Sequence, residues 1–310
     1  MRTDNYQSQS GVPFWIKAVL VLVAFFYIGR YASVYYVQAH SELAQSAKRG
    51  EVINILFLGI DAREREENSR SDTMMLFSLD PEKGRAALLS IPRDTNVKDA
   101  RGHLQRINAL NYLEGPEGAC AGAAELLNVK IPYYVLTNFE GFVNIIDILG
   151  GLDLDVDMPM QHSDPVNPHL AINLAKGLQH LNGDQALQYV RFRGDPTADI
   201  GRTKRQQKFL QALAEQTLQG STIVKLPSLV KELLANVQTN LSIHDIIFIG
   251  GMLTDFDSSQ LVSQTLPGYP YTDPKSGASY WHADEDLSSH IIKDILDGKQ
   301  YDTYQPKPKK

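Results

Sequence analysis

Residues 53–60 read INILFLGI, an uninterrupted apolar run that stops at Asp61 and a charged loop. A run this short, rich in isoleucine and leucine, predicts a buried strand rather than a helix. Residues 73–80 and 86–91 repeat the pattern on either side of Pro81-Glu82-Lys83-Gly84, a turn sequence, so the two form a hairpin. Further along, 118–128 reads as helix, 133–138 as strand, 139–149 as helix, and 152–158 alternates as a strand does. Strands alternating with helices predict an α/β fold, a layered α-β-α domain around a central mixed sheet. The second half is mainly helical: 183–190 capped by Asn182, then 199–219, 223–234 and 243–254. Before the last of these, Ser242 and Asp245 have capping-box spacing with Asp in place of Glu. A strand at 260–266 and a helix at 285–296 close a single domain spanning 51–300, with no internal repeat.

The chain has 310 residues and an ordinary apolar fraction of 43%, enough to bury a full core. Residues 14–37, FWIKAVLVLVAFFYIGRYASVYYV, have an uncharged centre from Ala18 to Gly29 and suit a membrane-spanning helix, which takes about 20 residues. Tyr27, Tyr31, Tyr35 and Tyr36 would form its outer aromatic belt. A cleaved signal peptide is the rival, but Arg30 and Tyr31 follow Gly29 where a small-residue cleavage site would lie. The expected order is a short cytoplasmic tail (1–13), the anchor (14–37), a connector (38–50), the domain on the outer face, and a disordered basic tail (301–310). Cys120 is the single cysteine and reads as a small buried residue, and the histidines lack metal-ligand spacing.

The distribution of arginine points to chemistry. Apart from Arg2, Arg30 and Arg49, every arginine lies between Arg63 and Arg106 or between Arg191 and Arg205, in a chain of net charge -6. Arginine's planar fork matches phosphate oxygens bidentately, so such crowding suggests a phosphorylated substrate. Asp61 after the first strand and Asp72 before the second suit a magnesium ion bridging protein and phosphate; taken singly, each also suits a turn or cap. Arg63, Arg70 and Arg93, with Asp94 beside it, come from loops at the expected strand ends. In YVRFRGDPTADIGRTKRQQ, Arg191 and Arg193 have strand-like spacing, while Arg202 and Gln206 share a face of the helix beginning near Asp199. Lys204 and Arg205 point elsewhere and read as solvated, as do Arg65, Arg85 and Arg101.

Seven ordered stretches resemble the LytR-CpsA-Psr family, whose domain is also called the cell envelope-related transcriptional attenuator domain. They are NILFLGIDAR (54–63), RSDTMMLFSLD (70–80), LLSIPRDT (88–95), RINALNY (106–112), GFVNIIDILGGLDLDV (141–156), LNGDQALQYVRFR (181–193) and DIGRTKRQQKFL (199–210). The resemblance covers 54–210, about half the chain. It implies a phosphotransferase that moves a glycopolymer, such as teichoic acid or capsule, from a polyprenyl-diphosphate carrier to a wall acceptor, usually peptidoglycan. It further implies that Asp61 and Asp72 bind Mg2+, with Mn2+ as an alternative, and that Arg70, Arg93, Arg191, Arg193, Arg202 and Gln206 hold the diphosphate. Arg70, Arg93 and Asp94 are the expected catalytic residues, with Asp94 or Asp72 as the candidate base. Arg106 and Glu114-Gly115 depart from the family pattern, where lysine and a glycine pair are common; both bear on the acceptor groove.

Two other readings compete. A lipid-diphosphate hydrolase would use the same site with water as acceptor. A transcriptional regulator would turn the arginines toward nucleic acid, but the anchor, the acidic balance and the lack of a helix-turn-helix argue against a nucleic-acid partner.

Overall fold

The structure, a computed structural model, describes residues 39–60, 69–163, 171–192, 205–206, 208–209, 212–213, 234–254, 261–274 and 276–306. Its centre is the predicted strand. β1 (Ile53–Ile60) pairs antiparallel with β2 (Ser71–Asp80) and parallel with β6 (Tyr133–Asn138). β2 returns through the expected turn into β3 (Arg85–Ser90). β12 (Leu261–Thr265) joins β3 in parallel and β11 (Gln238–Thr239) joins β6, giving the mixed order β11-β6-β1-β2-β3-β12.

Alternation along β1 sends its side chains to two different interiors. Leu56, Leu58 and Ile60, with Met74, Leu76, Ala87 and Leu89 of the neighbouring strands, pack against α2 (Ile107–Leu127) and α7 (Ile291–Leu296). Ile53 and Ile55 on the other face pack with Leu79, Leu43 of α1 (Glu42–Lys48), and Ile246 and Ile249 of α5 (Ile243–Thr254). Helices thus cover both faces, as the layered class requires. A third cluster lies beyond Ile55 on that second face. It is built from α3 (Phe139–Ile148), β7 (Leu152–Val156), β8 (Met160–His162), β9 (Ile172–Leu174), β10 (Gly177–Leu181) and α4 (Gly183–Arg191). The remaining elements are short: β4 (Asn96–Lys98), β5 (Leu104–Arg106), β13 (Gly268–Thr272), β14 (Ser279–Ala283) and α6 (Glu285–Ser288).

Local signals explain most boundaries. Asn182 caps α4 in a capping box with Gln185, and Ser242 and Asp245 exchange the two bonds of the expected box at α5. Several expectations need correction. Helix α2 begins at Ile107 rather than near 118, because a residue at φ 75°, Gly115, lets the chain kink before Pro116 and resume as helix. Arg191 is the last residue of a helix, not part of a strand. The closing helix is two short ones broken at His290. The start of the tail is seated rather than disordered: Tyr301 donates to Asp294 (2.5 Å), and Gly268 exchanges backbone bonds with Thr303 (2.9 Å) and Gln305 (2.8 Å). The expected anchor at 14–37, most of the helices at 199–219 and 223–234, and 307–310 lie outside the described residues. Among the described residues no helix is long and apolar enough to cross a membrane.

Candidate functional site

Between the sheet's second face and the third cluster lies a cavity of about 620 Å³. Its floor is two rungs of the sheet. In the first, Phe57 stands opposite Met75 on β2 and Val135 on β6; in the next, Gly59 stands opposite Thr73 and Thr137. The floor therefore changes from apolar to hydroxyl-bearing over two residues. At Gly59 a Cβ would come within 3.2 Å of Thr73, so glycine keeps this rung open. Phe139, Phe142, Leu187, Val190, Phe192 and Phe209 supply the facing wall, and the Phe142 and Phe209 rings meet at 5.3 Å, tilted by 38°.

The charged residues gather at the polar end. Strand β2 slips register between Gly59 and Ile60: Thr73 pairs with Gly59 and Ser71 with Ile60, leaving Asp72 as an extra residue. Plain alternation would turn Asp72 toward the α2 side with Met74. The bulge frees it to line the cavity instead, a common use of bulges beside active sites. There it accepts from Arg93 Nη1 at 2.5 Å. Arg191, at the end of α4, enters with its guanidinium 4.9 Å from the centre of the Phe139 ring. Gln206 donates to Thr73 Oγ1 at 3.3 Å.

The structure thus brings Asp72, Arg93, Arg191 and Gln206 to one cavity. Asp94 stands behind Arg93, outside the lining, 3.9 Å from Arg93 Nε and 3.3 Å from Arg106 Nε. Arg70 is exposed just before β2 and does not line the cavity. Asp61, Arg63, Arg193 and Arg202 lie outside the described residues. Arg205, expected on the surface, is only 5% exposed; it donates to the Phe192 carbonyl at 2.7 Å and lies over that ring, holding the cavity wall.

Sequence reasoning missed the residues that hold these groups in place. Asn108 N donates to the Arg93 carbonyl at 3.2 Å, and Asn111 Nδ2 to the Ser69 carbonyl at 2.6 Å. One turn of α2 thereby fixes the segments carrying both Arg93 and Arg70. Only the Asn111 side chain was a readable signal in RINALNY, since Asn108 acts through its main-chain N–H, which any residue but proline supplies. Cys120 is buried as expected, and burial pushes its thiol up to about 12, which keeps it unreactive.

Among the described residues no three His, Cys, Asp or Glu side chains form a metal cluster. Asp72 nevertheless fits a magnesium ion, which is commonly held by one or two carboxylates and completed by substrate phosphates and water. Asp61 follows directly on Ile60, a residue of the cavity lining.

A mixed sheet bearing a cavity, apolar at one end and lined by arginines at the other, defines an α/β protein suited to an amphiphilic anion. Residues 28–295 match the LytR_cpsA_psr family, and the chain belongs to that family. Among its relatives is the polyisoprenyl-teichoic acid–peptidoglycan teichoic acid transferase TagV of Bacillus subtilis strain 168, 32% identical over 236 residues. That match covers 72% of this chain and 60% of the relative's length. The fold is similar to the crystal structure of B. subtilis TagV, with a TM-score of 0.69, 28% identity, and coverage of 83% of this chain and 99% of that one. It is also similar to TagT bound to LI-WTA, with a TM-score of 0.63, 26% identity, and coverage of 79% and 90%.

Proposed function

We propose that the protein transfers a glycopolymer from a polyprenyl-diphosphate carrier to a hydroxyl of peptidoglycan, forming a phosphodiester. The observation that carries this reading is the gradient along the cavity, from Phe57, Met75 and Val135 through Thr73 and Thr137 to Asp72, Arg93 and Arg191. A lipid diphosphate has the same gradient. The names of the relatives, teichoic acid transferases acting between a polyisoprenyl carrier and peptidoglycan, support it, as does a TagT structure with LI-WTA. Residues 14–37 would hold the domain at the outer face of the membrane, within reach of a lipid-anchored donor.

In the proposed reaction the acceptor oxygen attacks the sugar-proximal phosphorus. The bond from that phosphorus to the bridging oxygen breaks, and polyprenyl monophosphate leaves. Because the transition state spreads charge over the phosphoryl oxygens, positioned cations supply most of the stabilisation. Arg93 and Arg191 do so from the cavity mouth, joined by Arg70, Arg193 and Arg202 as the family pattern implies. Asp72 and Asp61 would hold Mg2+, which neutralises diphosphate charge when bound. Asp94, outside the cavity lining and 3.9 Å from Arg93 Nε, would take the hydroxyl proton of an acceptor that approaches from its side of Arg93.

The test is incubation of the full chain in detergent with a lipid-linked donor, with and without peptidoglycan fragments. Acceptor-dependent appearance of phosphodiester-linked glycan together with polyprenyl monophosphate is expected. Release of phosphorylated glycan at the same rate without acceptor would overturn the reading in favour of hydrolysis.

A further inference from the structure

Away from the cavity, β13 and β14 form a ribbon with the sequences GYPYT and SYWHA. Its register sets Tyr269 opposite His282 and Tyr271 opposite Tyr280, so these four rings share one face. The His282 ring lies 5.1 Å from that of Tyr269 and 6.0 Å from that of Tyr271. All four are half-buried. The other face is fastened to the domain: Trp281 Nε1 donates to the Leu266 carbonyl at 3.2 Å, and its ring meets Tyr304 edge-on at 5.6 Å.

The ribbon is joined to the segment that carries Arg93. Trp281 N donates to the Asp94 carbonyl at 2.9 Å, and Thr95 bridges to Trp281 in parallel. Since Thr95 matches Trp281, Asp94 and Asn96 emerge on the side of Tyr280 and His282, and Arg106, paired with Asn96, emerges with them. The Arg106 guanidinium stands 5.8 Å from the Tyr280 ring centre and donates to the Ser279 carbonyl at 3.1 and 3.0 Å. A continuous run of contacts therefore leads from Tyr280 through Arg106, Asp94 and Arg93 to Asp72 at the cavity mouth.

We propose that this face docks the acceptor as a polysaccharide chain, its pyranose rings lying on Tyr269, Tyr271, Tyr280 and His282 and its hydroxyls bonded by Asp94, Asn96 and Arg106. The assignment rests on the transferase reading above and adds where the acceptor binds. Sugars present apolar C–H faces rimmed by hydroxyls, which match flat rings alternating with fork-shaped polar groups. A protein partner would call for a centre depleted of charge, whereas here the Asp94 and Arg106 charges stand directly beside the rings. A nucleic acid would call for a row of cations, whereas here Arg106 is matched by Asp94. The face also ends where the proposed reaction needs a hydroxyl, beside Arg93.

Calorimetric titration of soluble, uncrosslinked peptidoglycan glycan chains into the full chain in detergent tests this, using wild type, Tyr271→Ala and Tyr271→Phe. Glycan affinity is expected to fall about tenfold in Tyr271→Ala, from loss of one stacking ring, and to persist in Tyr271→Phe. Thermal midpoints measured alongside show whether each variant is folded, and a Tyr280→Ala variant repeats the test at a second ring. Unchanged affinity in both folded alanine variants would overturn the docking surface, and so would equal loss in Tyr271→Phe. If wild type transfers glycan to acceptor while these variants bind normally, only the docking surface fails. If wild type neither binds the chains nor transfers to them, the transferase reading fails as well.

Discussion

At the cavity mouth one contact, Arg93 Nη1 to Asp72 Oδ1, joins the two side chains on which the proposed chemistry most depends. Both are partly exposed, 32% and 39%, so neither is a structural anchor of the core. Arg93→Ala and Asp72→Ala are expected to lower kcat/KM for transfer by about a thousandfold, the scale of losing one positioned charge in phosphoryl transfer. Their thermal midpoints should stay within a few degrees of wild type. Steady-state assays and thermal melts on the same preparations check both, and a folded variant with wild-type rates would remove that residue from the site. The choice of arginine over lysine made Arg93 and Arg191 legible from sequence, because only the fork geometry explains it. Asp72 was legible as a residue type but not as a position, since the bulge that aims it leaves no mark on the alternation of SDTMMLFSLD. Arg205 misled for a related reason: a charge looks solvated until a carbonyl and a ring are found around it.

Between elements, a buried polar junction ties α1 to α5 through Asp245. This buried carboxylate accepts from Ser41 Oγ (2.7 Å), Leu43 N (3.2 Å), Ser242 Oγ (2.6 Å) and Ser242 N (3.0 Å). Burial alone raises its pKa, but the bonds from Ser242, Ser41 and the Leu43 and Ser242 backbone outweigh burial and hold it below the ordinary value. A carboxyl depressed in the fold contributes stability above its unfolded value, about 3.9, and loses it as pH falls through the folded value. Asp245→Asn is therefore expected to cost about 2–3 kcal/mol at pH 7, with the deficit shrinking below about pH 4. Denaturant titrations at the two pH values read this directly; an equal deficit at both would show that the charge is not what matters. The capping-box spacing announced this junction at α5 but not Ser41, which lies 204 residues away in sequence. β1, α4 and α5 were legible, because the burial of β1 and the capping of α4 and α5 are local properties, whereas the first turns of α2 before Gly115 were not. The three-residue strands β4, β5, β8 and β9 were not: pieces so short carry too little periodicity to read.

Over the whole molecule, the sheet serves two interiors. One face is closed by α2 and α7, whereas the other is closed only up to Ile55, beyond which the third cluster stands off and leaves the cavity. This division was hidden in the sequence, since Phe57, Met75, Val135 and Phe209 are the same kinds of residue as those in the core. Only the structure separates a wall from a filling. An anchor at 14–37, as proposed, would keep the cavity close to a lipid that does not leave the membrane. The central claim is that the carrier lipid lies in this cavity with its diphosphate at Arg93. It is tested most directly by photocrosslinking a polyprenyl diphosphate with a diazirine in its tail to the full chain in detergent, followed by peptide mass spectrometry. Labelling is expected on the peptides containing Phe57, Val135, Phe139 and Phe209, competed by unlabelled diphosphate and weakened by Arg93→Ala. Labelling confined to other peptides, or equal competition by the polyprenyl alcohol that lacks the diphosphate, would contradict it.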